Sequence, residues 1–267
     1  MTTDRSWRLT LRTVALGYLA LLLLAPVGMI FYRTFQHGLT AVWDSVTTPA
    51  AISAFWLTIE VAAIAVPLNT ILGVLCALAL VRGRFRGKAL VDAVIDLPFA
   101  VSPIVVGLSI ILVYGARGWL HVLPDHGLQI IFATPGIVIA TVFVTVPFVV
   151  REVTPVLREV GSEQEQAAAT LGASSWQAFW RITLPSIRWG IAYGVVLSVA
   201  RAIGEFGAVS VVSGKISGQT ETLTLLVEQR FQNYDLAGAY AASALLAAIA
   251  LVTLLVLTRI RPRREEA

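Results

Sequence analysis

The chain has 267 residues, of which 57% are hydrophobic and only 13% charged, and its mean hydropathy is +0.80. Globular domains in water carry about one quarter charged residues, and few folds hide this much apolar surface, so the composition points to an integral membrane protein. The net charge of +4 is informative only through its placement: a basic surface for nucleic acid carries little weight, because the basic residues flank apolar runs and form no stripe with aromatics; the single Cys76 leaves no disulfide framework.

Taken in order, Thr13 to Tyr32 is the first long apolar run, preceded by Arg5, Arg8 and Arg12. It is longer than a signal peptide's apolar region and carries no A-x-A-like site, so it reads as a retained anchor. Pro26 is tolerable there if neighbouring groups take up the freed carbonyl. Arg33 to Ala51 reads as a polar connector. Ser53 to Val81 is a second span, with Pro67 inside it and Glu60 near its start, where an interfacial carboxylate fits better than a transport role. Arg82 to Lys88, RGRFRGK, is a short basic turn. Leu90 to Tyr114 is the third span, entered through Asp92 and Asp96 and broken by Pro98 and Pro103. Gly115 to Leu128 is a polar loop. His121, Asp125 and His126 within it suggest a metal, but H-x-x-x-D-H is a weak ligand spacing and a solvated loop fits better. Gln129 to Val150 is the fourth span, residues 151–186 form a polar loop, and Ile187 to Val212 is the fifth span. Ser213 to Leu236 reads as another polar connector, Ala237 to Leu257 as the sixth span, and RIRPRREEA as a basic, then acidic tail. No internal repeat is clear enough to use.

Lysine and arginine divide unevenly between the two sides. The N-terminus, the 82–88 turn, the 151–188 stretch and the tail hold 15 of the 20. The other side holds Arg33, Arg117, Lys215 and Arg230, and Arg201 lies inside a span. The positive-inside rule then places both termini and the 151–186 loop in the cytoplasm, with six transmembrane helices in an all-α chain.

Within that loop, Ser162 to Pro185 reads SEQEQAAATLGASSWQAFWRITLP. Ser162 with Glu165 predicts a capping box and a helix start, and Gly172 a stop. Ser174 with Gln177 predicts a second capping box. Trp176, Phe179, Trp180 and Thr183 follow at i, i+3, i+4, i+7, giving one large, mostly apolar face that Pro185 closes. Two readings fit: a bihelical handle that docks in a groove of another protein, or an amphipathic connector lying on the membrane.

The fifth span holds the two most costly residues of the chain, Arg201 and Glu205. A lone charge near the bilayer centre costs at least about 2.5 kcal/mol, so both should face protein or water. Their i, i+4 spacing lets them pair on one helix face. They read either as a site lining the route of an anion, Arg201 attracting and Glu205 partnering it, or as a structural ion pair. Gly204 and Gly207 permit close helix approach. No G-x-x-x-x-G-K-[ST] and no H-E-x-x-H occurs, and no nucleophile–base pair is evident.

These residues carry a resemblance. The signature loop of ATP-binding-cassette importer permeases reads E-A-A, three residues, G, nine residues, I-x-L-P. Gln166-Ala167-Ala168, Gly172, Ile182, Leu184 and Pro185 match that spacing, with Gln166 at the acidic position and Glu165 and Glu163 just upstream. The run from Ala200 to Gly207, ARAIGEFG, is similar to the A-R-A-x-G-E-[FY]-G of sulfate and thiosulfate importer permeases, as is the third-span run from Leu97 to Leu108. The likeness covers about residues 50 to 258 and is greatest to the second, W-type, of that group's two permease subunits.

The resemblance implies the type I importer permease fold, laid out as residues 1–52 (cytoplasmic segment, first helix and outer loop), 53–258 (permease domain) and 259–267 (cytoplasmic tail). It implies import of sulfate or thiosulfate across a prokaryotic inner membrane. The partners would be a second, homologous permease subunit, a dimer of cassette ATPases and an extracytoplasmic sulfate-binding protein. The chain itself would be no enzyme and hold no cofactor, ATP being bound by the partner. A molybdate or tungstate permease is the alternative of the same class, and a secondary anion transporter that of another.

Overall fold

The computed structural model describes residues 3–36, 38–122 and 126–260. Pro124 and Asp125 of the outer loop and the tail 261–267 lie outside them. Among the described residues the elements are α-helical, with one π turn. They are α1 (Thr3–Phe35), α2 (Gly38–Val46), α3 (Pro49–Arg82), α4 (Lys88–Ala100), α5 (Pro103–Tyr114), α6 (Thr134–Val160), α7 (Glu163–Thr170), α8 (Ser175–Ala178), the π turn Phe179–Thr183, α9 (Leu184–Ile203), α10 (Gly207–Val212), α11 (Leu223–Gln232) and α12 (Leu236–Ile260).

The core is a three-helix seam with α6 at its centre. Ile137, Thr141, Thr145, Val149, Val153 and Leu157 recur every fourth residue along α6, and each is fully buried. Small residues at the same spacing face them: Ala65, Asn69, Gly73 and Ala77 on α3, and Gly190, Gly194, Ser198 and Ala202 on α9. The fit is tight enough to exclude a methyl group. A Cβ on Gly73 would lie 2.6 Å from Val149 Cβ, and one on Gly194 would lie 2.8 Å from Val149 Cα. Between helices in lipid, close van der Waals contact of this kind replaces the hydrophobic effect as the attractive force. Most of the polar groups in the seam are satisfied, Asn69 Oδ1 and Ser198 Oγ being buried without a hydrogen-bond partner among the described residues. Thr141 and Thr145 donate to carbonyls four residues back, and Asn69 Nδ2 donates to Thr145 Oγ1.

The seam also fixes direction. Asn69 meets Thr145 and Gly73 meets Val149, so α3 and α6 run the same way. Gly190 lies against Val153 and Gly194 against Val149, so α9 runs opposite to both. If α3 and α6 both cross the bilayer in one direction, the chain must return between them. Only α4, α5 and the following loop are available. The third span is therefore not one straight helix. Among the described residues five helices are long and apolar enough to cross, and α4 with α5, bent by 112°, makes a sixth when the pair is counted as one broken span. Pro98 and Pro103 flank the elbow, as the sequence leads one to expect.

Four other expectations need correction. α6 does not stop at Val150. It continues to Val160, because Val153, Thr154 and Leu157 keep the buried spacing beyond the first charges. Charge marks the end of the apolar run, not of the helix, and the loop proper begins at Gly161. The connector at 33–51 contains α2 and the start of α3, capped by Thr48 Oγ1 on Ala51 N. The connector at 213–236 contains α11 and buries two of its charges, Glu221 and Arg230. Arg230, taken above for an outer-loop cation, donates to the carbonyls of Gly238 and Ser45 and to Thr48 Oγ1. Pro185 does not end a unit either: Ser175 to Ile203 is continuous. Proline lacks the N–H for an i−4 bond, and here it sits in the first turn of α9, just after the π turn in which Leu184 N donates to Phe179 O.

α1 is apolar along its length and makes little contact with the bundle: none of its most apolar window is buried. Its tie is near its end, where Thr34 Oγ1 donates to Tyr240 O at 2.9 Å. Replacing Gly194 with Leu should lower the melting temperature of the detergent-purified protein markedly, at a cost of about 1–3 kcal/mol or more. Gly17→Leu on α1, where a side chain meets nothing within 4 Å, should leave it unchanged. The turn before α11 makes a second prediction. Glu221 is 2% exposed. Burial pushes its carboxyl above the ordinary carboxylate range, against the Ser217 hydroxyl and the charge of Arg230, which both favour the ionised form. The folded chain thus holds this proton more tightly than the unfolded one. Stability contributed by the neutral acid is present at low pH and is lost as pH rises through the raised value. Glu221→Gln should remove that slope and raise the melting temperature at neutral pH, measured by thermal unfolding across a pH series.

Candidate functional site

Two places gather the residues singled out in the sequence. The first is the handle at 161–185. Gly161 turns the chain out of α6, and Gly172, at φ +85°, turns it again between α7 and α8 in a conformation that favours glycine. The second capping box forms as expected: Gln177 Oε1 accepts from Ser174 N at 3.0 Å, and Ser174 Oγ accepts from Gln177 N at 3.3 Å. The first does not. Ser162 Oγ instead accepts from Gln166 Nε2 at 2.9 Å. Glu165 is drawn inward, accepting from Arg82 Nη2 at 3.1 Å and from Thr183 Oγ1 at 2.8 Å. Arg82 Nη2 also donates to the carbonyl of Gly161. One carboxylate therefore staples α7 to the ends of α3 and of the π turn.

That leaves Glu163, Gln166, Ala167 and Gly172 exposed, with Ala168 half-buried. The π turn changes the aromatic face. Thr183 is buried and Phe179 packs on the α3–α6–α9 cluster, while Leu171, Trp176 and Trp180 stay 89%, 69% and 51% exposed. The three rings of Trp176, Phe179 and Trp180 touch one another at 5.6–6.2 Å between centroids. A largely exposed apolar tip on a stapled, folded element has the build of a docking surface. Ile182 and Leu184 are half-buried where the handle joins the bundle, and Pro185 is exposed beside them.

The second place is the break in the fifth span. α9 ends at Ile203 and α10 begins at Gly207, so Glu205 lies in the break and not on the helix that carries Arg201. The ion pair nonetheless forms, Arg201 Nη1 to Glu205 Oε2 at 2.6 Å. Glu205 is 2% exposed and its other oxygen accepts from Ala208 N at 2.9 Å, capping α10. Thr224 Oγ1 donates to its backbone carbonyl. The carboxylate is thus tied down behind Arg201.

Arg201 is one-third exposed and faces a cleft of about 370 Å³. The remaining wall is the elbow, residues 98–103, with Val144 and Phe148. The two sequence runs that carried the resemblance, 97–108 and 200–207, therefore meet in space. Glycines bring them together: a Cβ on Gly107 would lie 2.8 Å from Ala208 O, and one on Gly207 would lie 2.7 Å from Pro103 Cβ. No carboxylate lines this cleft. A second cleft of about 330 Å³ between α9 and α12 has no charged wall at all. Arg201 thus gives the elbow cleft a positive lining, with Nε and Nη2 unpaired among the described residues.

A third ion cluster was legible only as two carboxylates four residues apart. Arg151 on α6 donates through Nε to Asp96 Oδ1 at 2.8 Å, pairs with Asp92 Oδ1 at 3.0 Å, and also bonds Asp96 Oδ2. It binds the arm of the elbow to the seam. His121 and His126 are both exposed, and no group of three potential metal ligands occurs among the described residues.

Comparison with known proteins agrees with this geometry. Over 242 residues the chain is 52% identical to the sulfate transport system permease protein CysW of Synechocystis sp., covering 90% of this chain and 88% of that protein. It is 48% identical over 250 residues to CysW of Escherichia coli (strain K12), covering 92% and 85%. To the sulfate transport system permease protein CysT of Synechococcus elongatus it is 38% identical over 257 residues, covering 96% and 91%. In fold it matches a crystal structure of a bacterial ABC transporter that imports the acidic polysaccharide alginate, at TM-score 0.78 and 18% identity over 98% of each chain. Residues 69–266 match the profile of the binding-protein-dependent transport system inner membrane components. The chain is a multi-pass membrane protein and belongs to that family.

Proposed function

We propose that this chain is one of two unlike permease subunits of an ATP-driven importer of sulfate or thiosulfate in a prokaryotic inner membrane. The observation that carries the reading is the likeness over about nine-tenths of the chain to relatives named as sulfate permeases of two kinds, CysW and CysT. The second permease subunit would be of the CysT kind. ATP would be bound by a separate pair of cassette ATPases, and substrate would be delivered by an extracytoplasmic binding protein, as in the alginate transporter solved with its periplasmic protein. With the bent pair as one crossing, both termini and the handle lie on the cytoplasmic side. The charge distribution of the sequence supports that orientation.

In this mechanism the chain performs no bond chemistry. Glu163, Gln166, Ala167, Gly172 and the exposed Leu171, Trp176 and Trp180 meet the ATPase, while Glu165 keeps the handle rigid on α3. Handle and Arg201 sit near opposite ends of one continuous helical rod, Ser175–Ile203, so a push on one end moves the other. Arg201 offers a guanidinium to a tetrahedral oxyanion at the elbow cleft, and Glu205 behind it prevents the site from binding the anion too tightly to release it.

ATP-dependent uptake of labelled sulfate into vesicles holding the full complex tests the reading. Uptake should require ATP and compete with thiosulfate more strongly than with molybdate. Uptake driven by an ion gradient without the ATPase would overturn it. Arg201→Gln should cut uptake at least tenfold and leave ATPase assembly intact, and unchanged sulfate uptake would remove Arg201 from the pathway. Arg82→Gln and Glu165→Gln should each lower uptake per ATP hydrolysed, because a loosened handle transmits less of the stroke. Coupling equal to wild type would show that the staple is not needed for transmission.

A further inference from the structure

The loop that leaves α3 and the helix after it form a surface that transport does not use. Arg84, Phe85 and Arg86 are exposed. Neither arginine meets a carboxylate among the described residues, because Asp92 and Asp96 hold Arg151 and Glu165 holds Arg82. Lys88 Nζ closes the loop on Gly83 O at 3.2 Å, and Gly87, at φ +92°, turns the chain into α4. Along α4, Leu90, Val94 and Leu97 follow at i, i+4, i+7 and are 69%, 52% and 43% exposed. The other sides of α4 are occupied: Ile95 and Pro98 are buried, and the two aspartates grip α6.

The helix is thus fastened by its acidic and buried sides and turns an apolar stripe outward, close to two unpaired guanidinium groups. α4 is the arm of the bent pair that runs along α6 from the 82–88 turn: Ile95 clusters with Leu80 and Val150, and Phe99 meets Phe148 edge-on at 5.3 Å between ring centroids. The basic loop therefore lies at the α3 end of that arm, beside the Arg82–Glu165 staple. An apolar helix side turned away from the bundle of a membrane protein meets acyl chains, and an aromatic side chain at the end of such a helix settles at the boundary with the headgroups. Basic groups beside it lie at the depth of the phosphates.

We propose that Arg84, Phe85 and Arg86, with the Leu90–Val94–Leu97 stripe, form a binding site for an anionic phospholipid of the leaflet in which α4 lies. An acidic protein surface would match the arginines but not the apolar stripe. A lipid matches both, phosphate to guanidinium and acyl chain to leucine.

The assembled complex in nanodiscs of mixed phosphatidylcholine and phosphatidylglycerol tests this. The lipids retained on extraction from the membrane are counted by native mass spectrometry. Wild type should hold phosphatidylglycerol above its share of the bulk, the more so at low salt. Arg84→Gln with Arg86→Gln should weaken that retention about fivefold for each arginine, while Arg84→Lys with Arg86→Lys retains most of it. Leu90→Ser with Val94→Ser should weaken retention of both lipids. Equal enrichment in wild type and the double glutamine variant would overturn the proposal. So would efficient cross-linking of Leu90→Cys or Val94→Cys to the second permease or the ATPase, which would mean that protein covers this face.

Discussion

Val149 is held between two glycines, one from α3 and one from α9, and the rest of the molecule is arranged around that contact. Lipid tails are as apolar as leucine, so nothing squeezes these helices together as water would. What holds them is close approach, possible only where side chains are absent or small. The fourfold spacing on all three helices extends the contact for about five turns of α6. Its consequence is rigidity where the sites need it. α9 cannot slide against α6 without driving Val149 into backbone, so it moves as one piece or not at all.

That rigidity relates the two candidate places. The handle lies at one end of the Ser175–Ile203 rod, and Arg201 lies at the other, about 40 Å away by helical rise. The π turn at 179–183 and Pro185 do not interrupt the rod. The elbow is fixed to the same body at two points: Arg151 grips α4 through two aspartates, and α10 packs on α5 through Gly107 and Gly207. The cleft between them therefore changes shape only when α4 and α5 move relative to α6 and α9, and half-exposed ion pairs are weak enough to permit that.

The all-helical class, the passes and the broken third span were readable from apolar runs and prolines, which are local signals. So were the second capping box and the stop at Gly172, each set by residues within one turn. What stayed hidden depended on distant partners. Glu165 has the spacing of a capping residue for Ser162, yet Arg82, 83 positions earlier, takes it. Arg201 and Glu205 were legible as a pair, but the break that puts Glu205 off the helix was not, because no proline marks it. Arg230 looked like a surface cation since nothing nearby in sequence reveals the Ser45 and Thr48 oxygens that receive it. The extension of α6 past Val150 was missed because charge was read as an end to helix, when it ends only the lipid-facing part.

The parallel pairing of α3 with α6 bears on how the chain is made. Asn69 and its acceptor Thr145 are separated by 76 residues, and the third wall of the seam, α9, comes later still. At about 5–20 residues per second, a ribosome needs roughly 4–15 s to deliver the partner. Throughout that interval the Asn69 amide and the glycine groove of α3 lack the partners that fill them in the finished fold. Early biogenesis of this protein is therefore a period of waiting for α6 and α9.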